Sequence, residues 1–102
     1  MIRLVEIDDP AACEAVLSVK VGDLLVFAAS GGRPDASSDA LQLLGVFVRA
    51  VVGTTGTVMA PVGPPNAVIF LAQHAGHAAI EVISGDPFGM PKVAALTVIV
   101  ED

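Results

Sequence analysis

Hydrophobic positions near the end of the chain form three runs that predict β-strands. The runs are rich in alanine and β-branched residues and extend over Ala67–Ala72, Ala78–Ile83 and Val93–Val100. A short His-Ala-Gly-His turn separates the first two runs, and a longer loop, Ser84–Lys92, precedes the third. A strand, a tight turn, a strand, a long loop and a final strand are typical of the end of an immunoglobulin-like sandwich.

The first part of the chain predicts further strands. Apolar and polar residues alternate over Ala15–Val21, and short apolar runs occupy Ile2–Ile7, Leu24–Ala28 and Thr57–Ala60. Leu41–Val52 fits helical spacing, but its valines and its internal glycine favour two short strands or one bent strand. We therefore expect one domain over residues 1–102, an all-β, immunoglobulin-like antiparallel β-sandwich of about seven or eight strands.

The same patterns predict the core and the loops. Glycine, proline, aspartate and serine favour turns, so Ser30–Asp39 and Pro61–Asn66 are expected to be loops, and Gly31-Gly32 a turn. The side chains expected in the core are Leu17, Val19, Leu24, Val26, Ile69 or Phe70, Ile80, Val82, Leu96 and Val98.

The chain has more apolar residues than one small core needs. Hydrophobic residues make up 54% of the sequence and charged residues 16%, whereas typical domains carry about 25% charged residues. Charge is sparse along Val46–Ala72, although charged side chains normally prevent an exposed edge strand from pairing with another chain. We therefore expect self-association, most simply a homodimer.

Charge and segment lengths argue against two classes of partner. The net charge is −6 and the five basic residues are scattered, so nucleic acid binding is not expected. The uncharged stretch Ala50–Gln73 is interrupted by glycines and prolines and is not expected to span a membrane. The N-terminus lacks the long apolar segment of a secretory signal, so we expect a cytoplasmic protein.

Candidate chemistry is limited to three residues. His74 and His77 flank a turn, but two imidazoles usually need further ligands to hold a metal. Cys13 lies near carboxylates, which oppose thiolate formation. We expect no enzymatic activity, no metal and no cofactor. The alternative is a small hydrolase or metal-binding protein in which these three side chains meet in one pocket.

Two segments resemble the chagasin family of cysteine-protease inhibitors. Leu17–Leu25 looks like the strand, Val-Gly-Asp turn and strand of that family, and Phe70–Val82 is similar to its aromatic strand, Ala-Gly turn and following strand. The resemblance implies a small immunoglobulin-like sandwich that inserts three adjacent loops into the cleft of a papain-like protease. General bacterial immunoglobulin-like domains share the Ala-Gly turn and are the competing parent family.

The resemblance also indicates which residues would bind. The family's third loop carries Arg-Pro-aromatic, which Pro87 and Phe88 match while Asp86 replaces the arginine. Gly63 fits the glycine-rich second loop, and Ser30–Asp39 lacks the Thr-Gly-aromatic of the first. The three loops should gather at one end of the sandwich with Phe88 as an exposed anchor; the alternative is that Phe88 caps the core. The candidate binding residues are Arg33, Gly63, Asn66, Asp86, Pro87 and Phe88.

Overall fold

The structure is a computed structural model that describes residues 2–10, 16–85 and 89–102, and its regular structure in these ranges consists of β-strands apart from Pro10, which is in 3-10 conformation. The expected all-β sandwich is confirmed. The described residues form ten strands, more than the expected number, because residues 31–33 form an additional short edge strand and Leu41–Val52 contains two strands. The strands are β1 Leu4–Ile7, β2 Val16–Lys20, β3 Leu24–Phe27, β4 Gly31–Arg33, β5 Leu41–Phe47, β6 Val51–Val52, β7 Val58–Met59, β8 Ala67–Ala72, β9 Gly76–Ser84 and β10 Lys92–Glu101.

Two four-stranded sheets make up the body of the molecule. Sheet A has the order β1-β3-β8-β5, sheet B has the order β2-β10-β9-β4, and β6 pairs only with β7. Most neighbours are antiparallel, but β1 runs parallel to β3 and β2 runs parallel to β10. The parallel pairs arise because the chain starts in sheet A, crosses to sheet B and returns to sheet A.

Alternate residues of the two sheets meet in the core. Ile80 and Val82 of β9 and Leu96 and Val98 of β10 are buried, as the sequence predicts. In the centre, the rings of Phe27 and Phe70 pack edge to face, with centroids 5.9 Å apart and planes at 89°. This geometry is favourable beyond its burial of surface. Since no disulfide joins the sheets, such packing holds them together.

The expected inward face of β3 is wrong. Leu25 and Phe27 belong to the core, whereas Leu24 is half-buried on the outer face of sheet A. Val26 is buried, but it lies on that outer face, next to Ile69 of β8. A strand that is apolar on both faces has no sequence signal for its orientation. Tertiary pairing therefore decides which side chains point inwards.

Leu41–Val52 contains two strands, β5 and β6, in agreement with one of the two expected readings. A β-bulge between Leu43 and Gly45 shifts the register of β5 against β8. The helical spacing of the leucines and valines in this segment is therefore accidental, because the bulge interrupts the regular alternation of a strand.

Gly31-Gly32 is not a turn but belongs to β4, which pairs with β9 at the edge of sheet B. A side chain at position 32 would place its Cβ 3.0 Å from Cγ1 of Val68 and 3.4 Å from Cζ of Phe70. Glycine at this position lets the edge strand lie against the core. At position 31 the nearest atoms, in Ile83, would be 3.7 Å away, an ordinary contact distance.

Asp23 is the one buried charged or polar residue among the described residues. Its carboxylate accepts hydrogen bonds from Nε of Arg3 at 2.9 Å and from the backbone N–H of Lys20 at 2.8 Å. Its backbone N–H donates to Lys20 and its carbonyl accepts from Ala72 of β8. Asp23 thus joins both sheets at the end of the sandwich where β2 passes into β3.

The Arg3 guanidinium, together with the Lys20 N–H, lowers the pKa of Asp23 to about 2 from its ordinary 3.8. Because the folded-state pKa is depressed, the ionised carboxylate stabilises the fold above about pH 4. That contribution is lost as the pH falls towards 2.

We expect Asp23→Asn to lower the unfolding free energy by about 1–3 kcal/mol at neutral pH, since a buried charge-assisted network is broken. The variant should also lose part of the stability change between about pH 4 and 2. Chemical denaturation across this pH range measures both effects. Asp39→Asn is the control, because the Asp39 carboxylate is exposed and has no hydrogen bond to another described residue. Equal stability of Asp23→Asn and the wild type at neutral pH would contradict the assignment.

Gly32→Ala should destabilise the protein by about 1–3 kcal/mol, because Val68 or Phe70 has to move to admit the methyl group. Gly31→Ala is the matched control and should be neutral or stabilising by up to about 1 kcal/mol, since the unfolded chain loses freedom at no steric cost. Thermal melts of the two variants measure the difference. Identical melting temperatures would show that β4 does not pack closely on the core.

Candidate functional site

Three segments of the chain meet at the end of the sandwich opposite Asp23. They are residues 28–30 after β3, residues 61–66 before β8, and residues 84–85 at the end of β9. Together they line a groove of about 370 Å³. The groove forms because β3 and β9 end, and β8 begins, at this end of the two sheets.

The described residues that line this groove are apolar or neutral. They include two alanines, three prolines, two serines, Asn66 and Gly85, and none of them is ionisable. The hydroxyl and the N–H of Ser30 both donate to the Ile83 carbonyl, at 3.2 and 2.8 Å. These two hydrogen bonds hold the segment after β3 against β9. The described lining of the groove is an uncharged surface.

Asn66 holds the second loop in place. Its side-chain oxygen accepts a hydrogen bond of 2.7 Å from the backbone N–H of Arg49, and its backbone N–H donates to the Phe47 carbonyl. Gly63 lies in the same loop and is exposed. Of the residues suggested by the family resemblance, Asn66 lines the groove and Gly63 lies beside lining residues.

Arg33 lies elsewhere, which corrects the expected loop Ser30–Asp39. It belongs to β4 and is exposed, with its guanidinium 3.6 Å from the Glu81 carboxylate on the neighbouring strand. Only the start of the expected loop reaches the groove. Pairing of residues 31–33 with β9 carries the rest of the segment along sheet B towards the opposite end.

Asp35 anchors that displaced segment. One carboxylate oxygen accepts from the Ala79 N–H at 3.0 Å, and the other accepts from the N–H and the hydroxyl of Ser37. These hydrogen bonds lower the pKa of Asp35; the bond from the Ser37 hydroxyl has the largest effect, followed by the bond from the Ala79 N–H. Ser38 donates to the His77 carbonyl nearby. Residues 35–38 are thus fixed beside the β8–β9 turn, away from the groove.

The third loop is only partly described. Asp86, Pro87 and Phe88 lie outside the described residues, so their assignment as binding residues stays a prediction. At the base of the loop, Gly85 has a φ of +86° and its α-carbon faces the returning strand: an added Cβ would lie 3.3 Å from the Met90 carbonyl oxygen. Residues 85 and 90 therefore lie close together, and the base of the loop is narrow.

The alternative hydrolase or metal site has little support from the two histidines. His74 precedes β9, His77 lies near its start, and both are exposed. Within the described ranges, no group of three or more histidine, cysteine, aspartate or glutamate side chains is placed to hold a metal ion. Cys13 lies outside the described residues.

The β6–β7 hairpin leaves the body at the same end as the groove. The sequence predicted strands in the segments that form it, but not that these two strands pair with each other apart from both sheets. The valines of the hairpin and Met59 are exposed. In the part of the chain that the structure describes, no helix has the length and apolarity needed to cross a membrane.

Comparisons with known proteins place the fold. No protein-family model matches the chain, and no curated protein matches it in sequence. Among solved structures, the cysteine protease inhibitor EhICP2 from Entamoeba histolytica is similar with a TM-score of 0.55 at 12% identity, over 98% of this chain and 96% of that one.

Two further structures are less similar. Amebosin has a TM-score of 0.48 at 9% identity, over 97% of this chain and 98% of that one. A copper(I) form of an amicyanin mutant has a TM-score of 0.43 at 20% identity, over 97% and 81% of the two chains. The likeness to the inhibitor confirms the resemblance stated from the sequence at the level of the fold: this chain has the immunoglobulin-like sandwich of a chagasin-like inhibitor.

Proposed function

We propose that residues 1–102 act as one non-enzymatic, protein-binding domain whose binding surface is the groove end of the sandwich. The observation that carries this proposal is the neutral groove lined by residues 28–30, 61–66 and 84–85. Three loops that gather at one end of a rigid sandwich are a common arrangement for recognition, because the sheets hold the loops in fixed positions.

The class of partner that we propose is a papain-like cysteine protease. The fold shared with a cysteine protease inhibitor supports this choice, as does the Pro87-Phe88 pair, which resembles the family's third loop. The neutral groove adds a physical reason. The described lining of the groove carries no charge, so this part of the surface can enter a protease cleft without the cost of burying unpaired charge.

The first loop distinguishes this domain from the chagasin pattern. Residues 31–33 form a strand and residues 35–38 are anchored at the far end, so residues 28–30 alone supply this segment's part of the groove. The contact beside a protease's catalytic cysteine would therefore come from a shorter loop. Inhibition should depend mainly on the second and third loops.

Titration of papain with the purified domain tests the proposal. We expect reversible loss of activity as the domain is added, and at least tenfold weaker inhibition by Pro64→Glu, which places a carboxylate at the rim of the groove. Pro34→Glu, at an exposed proline that does not line the groove, is the matched control and should inhibit like the wild type. An active protease in the presence of excess wild-type domain would contradict the proposal.

Phe88→Ala should weaken capture of the protease by about 2 kcal/mol or more, because an exposed aromatic side chain in a binding loop is a typical anchor. The melting temperature should stay nearly unchanged. Inhibition assays and thermal melts on the same preparation measure the two quantities. A large fall in melting temperature would instead assign Phe88 to the core.

A second proposed property is self-association, most simply as a homodimer. The observation in favour is the number of exposed large hydrophobic side chains between residues 44 and 62. A domain that is monomeric at tens of micromolar in light scattering would contradict it.

A further inference from the structure

The β6–β7 hairpin is apolar on both faces. Val51 pairs with Met59, and Val52 pairs with Val58, so the two pairs point to opposite sides of the ribbon. All four side chains are between 56% and 68% exposed. A two-stranded ribbon is marginally stable in water unless a face is covered. Nothing in the described part of this chain covers either face.

Further exposed apolar residues flank the hairpin in the chain. Among the described residues, nine large hydrophobic side chains between positions 44 and 62 are each at least 43% exposed. A stable protein–protein interface takes about 800 Å² from each partner, so these residues are a large reserve of apolar surface for one. The members are Leu44, Val46, Phe47, Val48, Val51, Val52, Val58, Met59 and Val62.

Charge distinguishes between possible occupants of this surface. The chain carries a net charge of −6, yet residues 50–73 contain no charged residue, so two copies that meet here bring no carboxylates together. Arg49, at the base of the hairpin, is 3.3 Å from the Glu6 carboxylate and is thereby neutralised. A bilayer is a poor occupant, because an acidic chain without a basic cluster is repelled by anionic lipid.

The unpaired backbone groups of the hairpin also favour a second copy of this chain as the partner. The hairpin is a sheet of two strands, so each strand keeps one unpaired edge. Such edges, when uncharged, pair readily with an identical edge of another chain. A two-fold axis beside the hairpin would pair two ribbons edge to edge in one four-stranded sheet, in which apolar side chains of both copies lie next to one another, since a two-fold interface uses the same surface of both copies.

We propose that the β6–β7 hairpin, with the apolar residues that flank it, is the interface with a second copy of this chain. This inference rests on the self-association proposed above and specifies its surface. Because the hairpin leaves the body at the groove end, both grooves of the dimer lie near its interface.

Sedimentation velocity over a range of concentrations tests the inference on the full chain. We expect the wild type to be dimeric at tens of micromolar and Val52→Lys to weaken dimerisation at least tenfold, since the substitution buries an unpaired ammonium group in the interface. The melting temperature of isolated monomers should be unchanged, because Val52 is exposed there. Val16→Lys, an exposed strand valine on sheet B, is the matched control and should dimerise like the wild type.

The outcomes separate the two proposals. If the wild type is monomeric, self-association and this inference are both wrong. The same holds if the monomer binds phosphatidylcholine vesicles, because lipid and not a second copy then covers the hairpin. A wild-type dimer that Val52→Lys leaves intact overturns this interface alone. If Val52→Lys lowers the melting temperature, Val52→Thr takes its place, with weaker dimerisation again expected and unchanged dimerisation overturning the interface. Protease inhibition is read separately from the Pro64→Glu series.

Discussion

The buried Asp23 connects four segments at one end of the sandwich. Its carboxylate accepts hydrogen bonds from Arg3 and from the Lys20 N–H, and its backbone carbonyl accepts from Ala72, so it links the entry to β1, the end of β2, the start of β3 and the end of β8. A buried charge is tolerated only when hydrogen bonds and a counter-charge compensate its lost hydration. The same network therefore restrains where these four segments lie relative to one another.

Asp23 and the segment held by Asp35 cover this end of the sandwich. The loops that line the groove lie at the opposite end. There the strand ends bring together residues 28–30, 61–66 and 84–85, and the hairpin extends beyond them. The two ends differ in chemistry. The buried Asp23 carboxylate and the hydrogen bonds of Asp35 hold one end, whereas at the other the exposed Arg49–Glu6 ion pair lies beside alanine, proline, valine and methionine side chains.

The fold alone does not carry a function to this chain. The inhibitor with the same sandwich is 12% identical, and an immunoglobulin-like sandwich serves many unrelated binding tasks. In this chain, residues 31–33 of the expected first loop form β4, which Gly32 allows by letting the strand lie against Val68 and Phe70. The described surface at the groove end is therefore formed by residues 28–30, 61–66 and 84–85.

By itself, the sequence determined the β-strands from Ala67 onwards, since period-two alternation bounded by turn residues is a local property. It also predicted which side chains of β9 and β10 lie in the core, and it shows directly that residues 50–73 carry no charge. It did not determine the orientation of β3, where apolar residues occupy both faces, or the strand at Gly31–Arg33, where turn-forming residues are held by pairing with β9. Only tertiary structure decided that Ala28, Ser30, Pro64 and Ser84 line one groove, because their proximity depends on how two sheets stack and not on spacing along the chain.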